Sequence, residues 1–134
     1  MKTPNCEERI DREYVYAEEC ILKVVGLIEP DEEWLEDNGF NQEDRISQFF
    51  YDQHALSYDT CYDNTRGVTV PSWCYAKDLA LSTGGPGDGF IILFDSSNDR
   101  FVKSYYYFQD WFDGALREVP GGSDLEKGLE ILIG

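Results

Sequence analysis

Phe90-Ile91-Ile92-Leu93-Phe94 decides the fold, together with the two stretches after it: Asp95-Ser96-Ser97-Asn98-Asp99, then Phe101-Val102-Lys103-Ser104-Tyr105-Tyr106-Tyr107-Phe108. A short unbroken apolar run reads as a central strand covered on both faces. The Asp/Ser/Asn cluster is turn chemistry, because these side chains bond the backbone just ahead of them. The next stretch reads as the returning strand. Phe101, Lys103, Tyr105 and Tyr107 are expected on one face, with Val102, Ser104, Tyr106 and Phe108 on the other. Asp113-Gly114 offers a type I′ turn into a third strand over residues 115–119. The expectation is a three-stranded antiparallel meander.

Helical patterns flank it. In residues 6–28, Ile10, Tyr14, Ala17, Ile21, Val24 and Ile28 recur at spacings of four and three, which places them on one face. Glu7, Glu8, Asp11 and Glu13 crowd the start and Lys23 lies near the end, as the helix dipole favours. Pro30 stops this element. A short helix fits residues 31–37, closed by Asn38-Gly39. A third is expected after Asn41, its cap, with Asp44 completing an imperfect capping box. Neither Gly nor Pro occurs from Phe40 to Arg66, so the spacing allows this helix to run past His54. Residues 63–71 read as a loop with at most one short edge strand, and residues 73–81 suit a helical turn as well as a strand. Gly84-Gly85-Pro86-Gly87-Asp88-Gly89 is a flexible break. Ser123 with Glu126 makes a capping box for a last helix carrying Leu125, Leu129 and Leu132. The fold class expected is α+β: N-terminal helices packed on a small antiparallel β-meander with a C-terminal helix, in one domain over residues 1–134.

Composition narrows the function. The chain has 134 residues, 42% hydrophobic and 15% aromatic, with a formal net charge of −16. Such acidity argues against direct nucleic-acid or anionic-lipid partners, which demand Lys and Arg. The start carries no apolar segment of a secretory leader, and no run approaches the ~20 residues of a membrane span. A cytoplasmic protein is expected. The four cysteines, Cys6, Cys20, Cys61 and Cys74, show no C-x-x-C spacing and His54 is the only histidine, so no zinc framework is read. They are expected to be reduced and mostly buried, with a Cys61–Cys74 bridge as the alternative.

Charge is concentrated. Residues 29–44 hold eight carboxylates (Glu29, Asp31, Glu32, Glu33, Glu36, Asp37, Glu43, Asp44) and no Lys or Arg. Solubility needs a net charge of only ~2–8 for a small domain. Like charges at this density repel one another unless a partner relieves them. A docking patch for a cationic protein competes here with a plain solvated helical face. The dipeptides Tyr51-Asp52, Tyr58-Asp59 and Tyr62-Asp63 form a second element. On a continuing helix their tyrosines fall along one stripe, amphipathic anchors beside carboxylates that accept Arg. Tyr105-Tyr106-Tyr107 with Trp111 reads chiefly as core and sheet packing.

Catalytic readings are thinner. Cys61 or Cys74 with His54 has the residue types of a thiol site but lacks a glycine-flanked nucleophile turn. Asp59, Asp63, Asp95 and Asp99 do not match a Ca²⁺ loop. The glycine break precedes a strand, so it lacks the helix N-terminus of a phosphate cradle. No cofactor, metal or catalytic residue is assigned.

Small, acidic and aromatic-rich, the chain resembles the immunity proteins of bacterial polymorphic toxin and contact-dependent growth inhibition systems. Gly87-Asp88-Gly89 running into residues 90–94, a second strand and a closing helix from Ser123 are similar to one large immunity superfamily over the last third. The resemblance implies a binder that blocks one cognate toxin, often a nuclease; no functional residue of the family carries over. The partner is therefore expected to be a basic toxin, contacted through Asp31, Glu33, Trp34, Glu36 and Asp37, and through Tyr58, Asp59, Tyr62 and Asp63. Two alternatives stand: a phage-type DNA mimic that inhibits a restriction or CRISPR nuclease, and a thiol-dependent enzyme.

Overall fold

The structure is a computed structural model that describes residues 5–41, 43–51, 55–82, 87–110 and 113–134, with Tyr51 described in its backbone only. His54, Asp52, Trp111 and residues 84–86 lie outside the described residues. The architecture is α+β. Helices α1 (Cys6–Val25), α2 (Glu32–Asn38) and α3 (Arg45–Tyr51) precede strands β1 (Ser57–Cys61), β2 (Cys74–Ser82), β3 (Gly87–Asp95), β4 (Phe101–Asp110) and β5 (Asp113–Glu118), and α4 (Asp124–Ile133) closes the chain. The strands form one antiparallel meander in the order β1-β2-β3-β4-β5.

β3 is the central strand, as its apolar run requires. Phe90 and Ile92 face a core shared with Ile10, Ile21 and Val24 of α1, Phe49 of α3 and Leu125, Leu129 and Leu132 of α4. Ile91 and Leu93 face a second core, with Ala76 and Cys74 of β2, Tyr107 of β4, and Val68 and Val70 from the β1–β2 connection. Helices therefore cover one face and a loop covers the other. Inside that loop Thr65 and Val68 exchange both backbone hydrogen bonds around Arg66 and Gly67, which both have positive φ (53° and 84°).

The helix ends follow local chemistry. Asn5 accepts from the Glu8 amide at 2.9 Å, and Gly26, at φ 83°, ends α1 in the left-handed conformation that glycine adopts without strain. Arg45 Nε donates to the Lys23 and Val24 carbonyls at 3.0 and 3.3 Å, a cation on the negative end of the α1 dipole. Ser123 caps α4 and Glu126 accepts a bond from the Gly122 amide, a variant of the expected box. At Gly128, α4 approaches α1 so closely that a Cβ would lie 3.2 Å from Ile21 and Leu22.

Several expectations are corrected. The sheet has five strands because β2, ambiguous by pattern, adds to β3 and β1 adds to β2. The third helix does not run past His54: α3 ends at Tyr51 and Tyr58 lies in β1. Asn41 does not cap α3. Its amide is held by Gln48 Oε1 at 2.8 Å, and Asp44, at φ 54°, leads into the helix instead. Asp113-Gly114 is not the hairpin turn but the start of β5, since Asp110 pairs with Asp113. Residues 63–71 hold an isolated bridge, not an edge strand. A bulge opposite Leu93 and Phe94 shifts the register of β4, so Phe101 packs with the helix-side core and Val102 with the other, the reverse of strict alternation. Ile28, beyond Gly26, is 41% exposed and does not extend the apolar face of α1.

Two polar clusters are built into the sheet. Tyr106 Oη donates to Asp88 Oδ2 at 2.6 Å on the helix side, and Tyr107 Oη donates to Asp78 Oδ1 at 2.8 Å on the loop side. Arg66 Nε donates to Asp78 Oδ2 at 3.2 Å and its guanidinium lies over the Tyr107 ring. Gly89, across from Tyr107, leaves the room for that ring: a Cβ there would collide with the Leu79 carbonyl and lie 2.6 Å from Tyr107 Oη. Gly89→Ala is expected to lower stability by about 1–3 kcal/mol, read from urea denaturation.

Burial, then the neighbouring aspartates, pushes both phenols well above their ordinary value of 10.0. A raised folded-state pKa gives stability that is complete below the unfolded pKa and is lost as pH rises toward the folded one. The protein is thus expected to lose stability above pH ~10. In an alkaline titration, the ultraviolet signal of these two tyrosinates should rise only together with loss of the circular dichroism of the fold.

Candidate functional site: an acidic helix and an open sheet edge

α2 is a seven-residue helix that buries one side chain, Leu35. Asp31 caps it, accepting from the Trp34 amide at 2.7 Å, and Gly39 ends it at φ 74°. Glu32, Glu33, Glu36 and Asp37 are exposed. Ion pairs elsewhere join Arg9 to Asp110, Arg117 to Glu7 and Asp11, Arg66 to Asp78, Lys103 to Glu118 and Lys23 to Glu19. Among the described residues no carboxylate of residues 29–44 has a Lys or Arg within ion-pair distance. The cations serve the sheet and α1, while α2 keeps its full charge.

The expected contact residues fall into two groups. Asp31, Glu33, Trp34, Glu36 and Asp37 share α2 or its cap, and differ in freedom. Asp31 is committed to capping. Trp34 is half-buried, stacked on Phe40 with ring centroids 5.5 Å apart and with Lys23 Nζ 5.1 Å above it, so its ring first fastens α2 to the body. Glu33, Glu36 and Asp37 carry no such role. Beside them Leu35 and Phe40 floor a groove of about 330 Å³, with Glu32, Glu36 and Asn41 around it. Sequence reasoning counted Glu32 in the acidic block but not among the expected contacts, and it missed this groove, although Glu32 and Glu36 are four apart and so share a helix face.

Tyr58, Asp59, Tyr62 and Asp63 form the second group, on and just beyond a strand rather than a helix. The helical stripe with Tyr51 and Asp52 is thereby overturned: β1 brings Tyr58 against Phe50 of α3, under Lys77 Nζ at 4.9 Å. Tyr58 and Tyr62 both lie close enough to Tyr75 to influence its phenol electrostatically. The bond from Tyr75 to Asp99 is the main cause of its rise to about 12. Tyr62 is 75% exposed, the barest large hydrophobic side chain described, and Asp59 and Asp63 are exposed. Asp59 stands in register with Asp78 across the β1–β2 pair, two like charges face to face.

Other concavities and nucleophiles offer less. A groove of about 430 Å³ beside β5 contains Arg66 and Arg117, but both are ion-paired already. The cysteines are free, so the Cys61–Cys74 alternative is not realised. Burial, followed by Asp113, raises the Cys6 thiol; burial, followed by Asp95, raises Cys74; burial, followed by Asp88, raises Cys20 to about 11. Such thiols are poor nucleophiles at neutral pH.

Cys6, Cys20 and Cys74 are expected to react slowly with iodoacetamide in the native protein and quickly after denaturation; a fast native reaction at any of them would restore the thiol-enzyme reading. Among the described residues no helix is long and apolar enough to cross a membrane. Comparison with protein-family models, curated proteins and solved structures finds no match.

Proposed function

We propose that this protein is an immunity-type binder that acts in the cytoplasm and neutralises a basic toxin, most naturally a nuclease, by covering its cationic active-site cleft. The observation that carries the reading is the unpaired carboxylate surface of α2 around the Leu35–Phe40 groove. An arginine or lysine of the partner can lay its methylenes on Phe40 and Leu35 and set its charge between Glu32 and Glu36, about 6 Å apart as neighbours on one helix face. In a nuclease the same cations hold substrate phosphates, so carboxylates seated there exclude substrate. The net charge of −16 adds long-range attraction that speeds encounter.

The compactness of the patch favours one cleft over a duplex-like surface. α2 is seven residues, about 10 Å of helix, whereas a DNA mimic needs carboxylates spaced along an extended face.

The test is stopped-flow association with the partner protein for wild type and the Glu33→Lys/Glu36→Lys variant. The variant is expected to associate at least about ten-fold more slowly at low salt, with a flattened salt dependence and little change in dissociation. Wild-type kinetics would remove α2 from the contact. Inhibition of a panel of unrelated DNA-binding enzymes would turn the reading toward the DNA mimic.

A further inference from the structure

β1 is the outer strand of the sheet: β2 satisfies one side of its backbone, and among the described residues no strand lies along the other. An open edge templates other chains, so folded proteins ordinarily blunt it with lysines, prolines, bulges or a covering element. β5, at the opposite edge, is defended in that way. α1 packs beside it, the Cys6 amide donates to Asp113 Oδ2 at 2.7 Å, and Arg117 pairs with Glu7 and Asp11 of α1. β1, Ser57-Tyr58-Asp59-Thr60-Cys61, carries no lysine or proline and pairs with β2 without a bulge.

The charged side chains of β1 and of the two residues after it, Asp59 and Asp63, are both acidic, and the nearby Lys77 of β2 lies over the Tyr58 ring. Asp78, buried, is satisfied by Tyr107 and Arg66. Asp59, directly across from it, has no ion-pair partner among the described residues. Asp63 is exposed just past the strand, and Tyr62 stands between the two, largely bare.

We propose that the open edge of β1 is a docking element for an extended, arginine- or lysine-bearing segment of the same basic partner. That segment adds to the sheet as a sixth strand through main-chain hydrogen bonds. Its cations lie against Asp59 and Asp63, and their stems pack on Tyr62. The proposal rests on the reading that the partner is a basic protein, and it adds where that partner's backbone is held. Charge selects the occupant. A second copy of this chain would bring another Asp59 and another −16 to the edge, whereas a cationic strand is attracted at the same positions. Asp59 thus works as a specificity residue kept at some cost to the free protein, because like charges in register destabilise a strand pair.

The test uses the intact protein and two synthetic probes: a short peptide alternating arginine and valine, and the same peptide N-methylated along its bonding edge. Both carry the same charge, but only the first has main-chain donors on that edge. Amide exchange followed by NMR should slow at β1 with the first peptide. Affinity should fall at least about ten-fold with the methylated peptide and with Asp59→Lys. Asp59→Asn should raise the Tm of the free protein and weaken the peptide. In the Glu33→Lys/Glu36→Lys variant the slowing at β1 should persist. Equal affinity for the two peptides, or slowing confined to α2, overturns the edge proposal and leaves the basic-partner reading standing. Binding of neither peptide overturns both.

Discussion

The two-sided burial of β3 is the constraint on which the rest of the molecule depends. Phe90 and Ile92 point one way and Ile91 and Leu93 the other, and all four are essentially inaccessible to water. Each such side chain contributes about 1.5–3 kcal/mol on leaving water, so neither face of the strand tolerates exposure. β3 must also have a bonded neighbour on both sides, which draws in β2 and β4. One face then recruits α1, α3 and α4, and the other recruits the β1–β2 connection with Val68 and Val70. Gly89 and the Arg66-Gly67 turn serve this second layer, the first by making room for Tyr107 and the second by folding Arg66 back over it.

Charge is sorted by the same packing. Three arginines bind structure to structure: Arg9 and Arg117 tie α1 to β4 and β5, and Arg66 ties the loop to β2. Arg45 holds the carbonyl end of α1. Few cations remain for α2, which is fastened by Leu35, the Trp34–Phe40 stack and its two caps. A short helix with one buried side chain bears four exposed carboxylates without an ion-pair partner among the described residues, and it can do so because its anchors are apolar and its capping bonds are local. The arrangement places repulsion where a partner can relieve it without disturbing the core.

The elements legible in the sequence are those governed by local interactions. The 3.6-residue periodicity of α1, the stop of α2, the apolar run of β3, the turn after it and the capping box of α4 all depend on residues within a few positions of one another. The misreadings share another cause. Tyr58 and Tyr62, four apart, share a face of a helix and equally a face of a strand, so spacing could not separate the two, and pairing with β2 decided for the strand. The bulge in β4 and the placement of Asp113-Gly114 inside β5 were likewise set by register with a neighbour.

The candidate site divides along the same line. The anionic block of residues 29–44 was written in the chain, since net charge and the absence of Lys and Arg need no coordinates. The groove floored by Leu35 and Phe40, the commitment of Trp34 to packing, and the opposition of Asp59 and Asp78 were not. By itself the sequence determined an acidic α+β chain with a doubly covered strand, because hydrophobic patterning, capping and composition act through near neighbours. Only the tertiary structure decided that β1 is a strand with an open, acidic edge, because strand pairing and register join residues far apart in sequence.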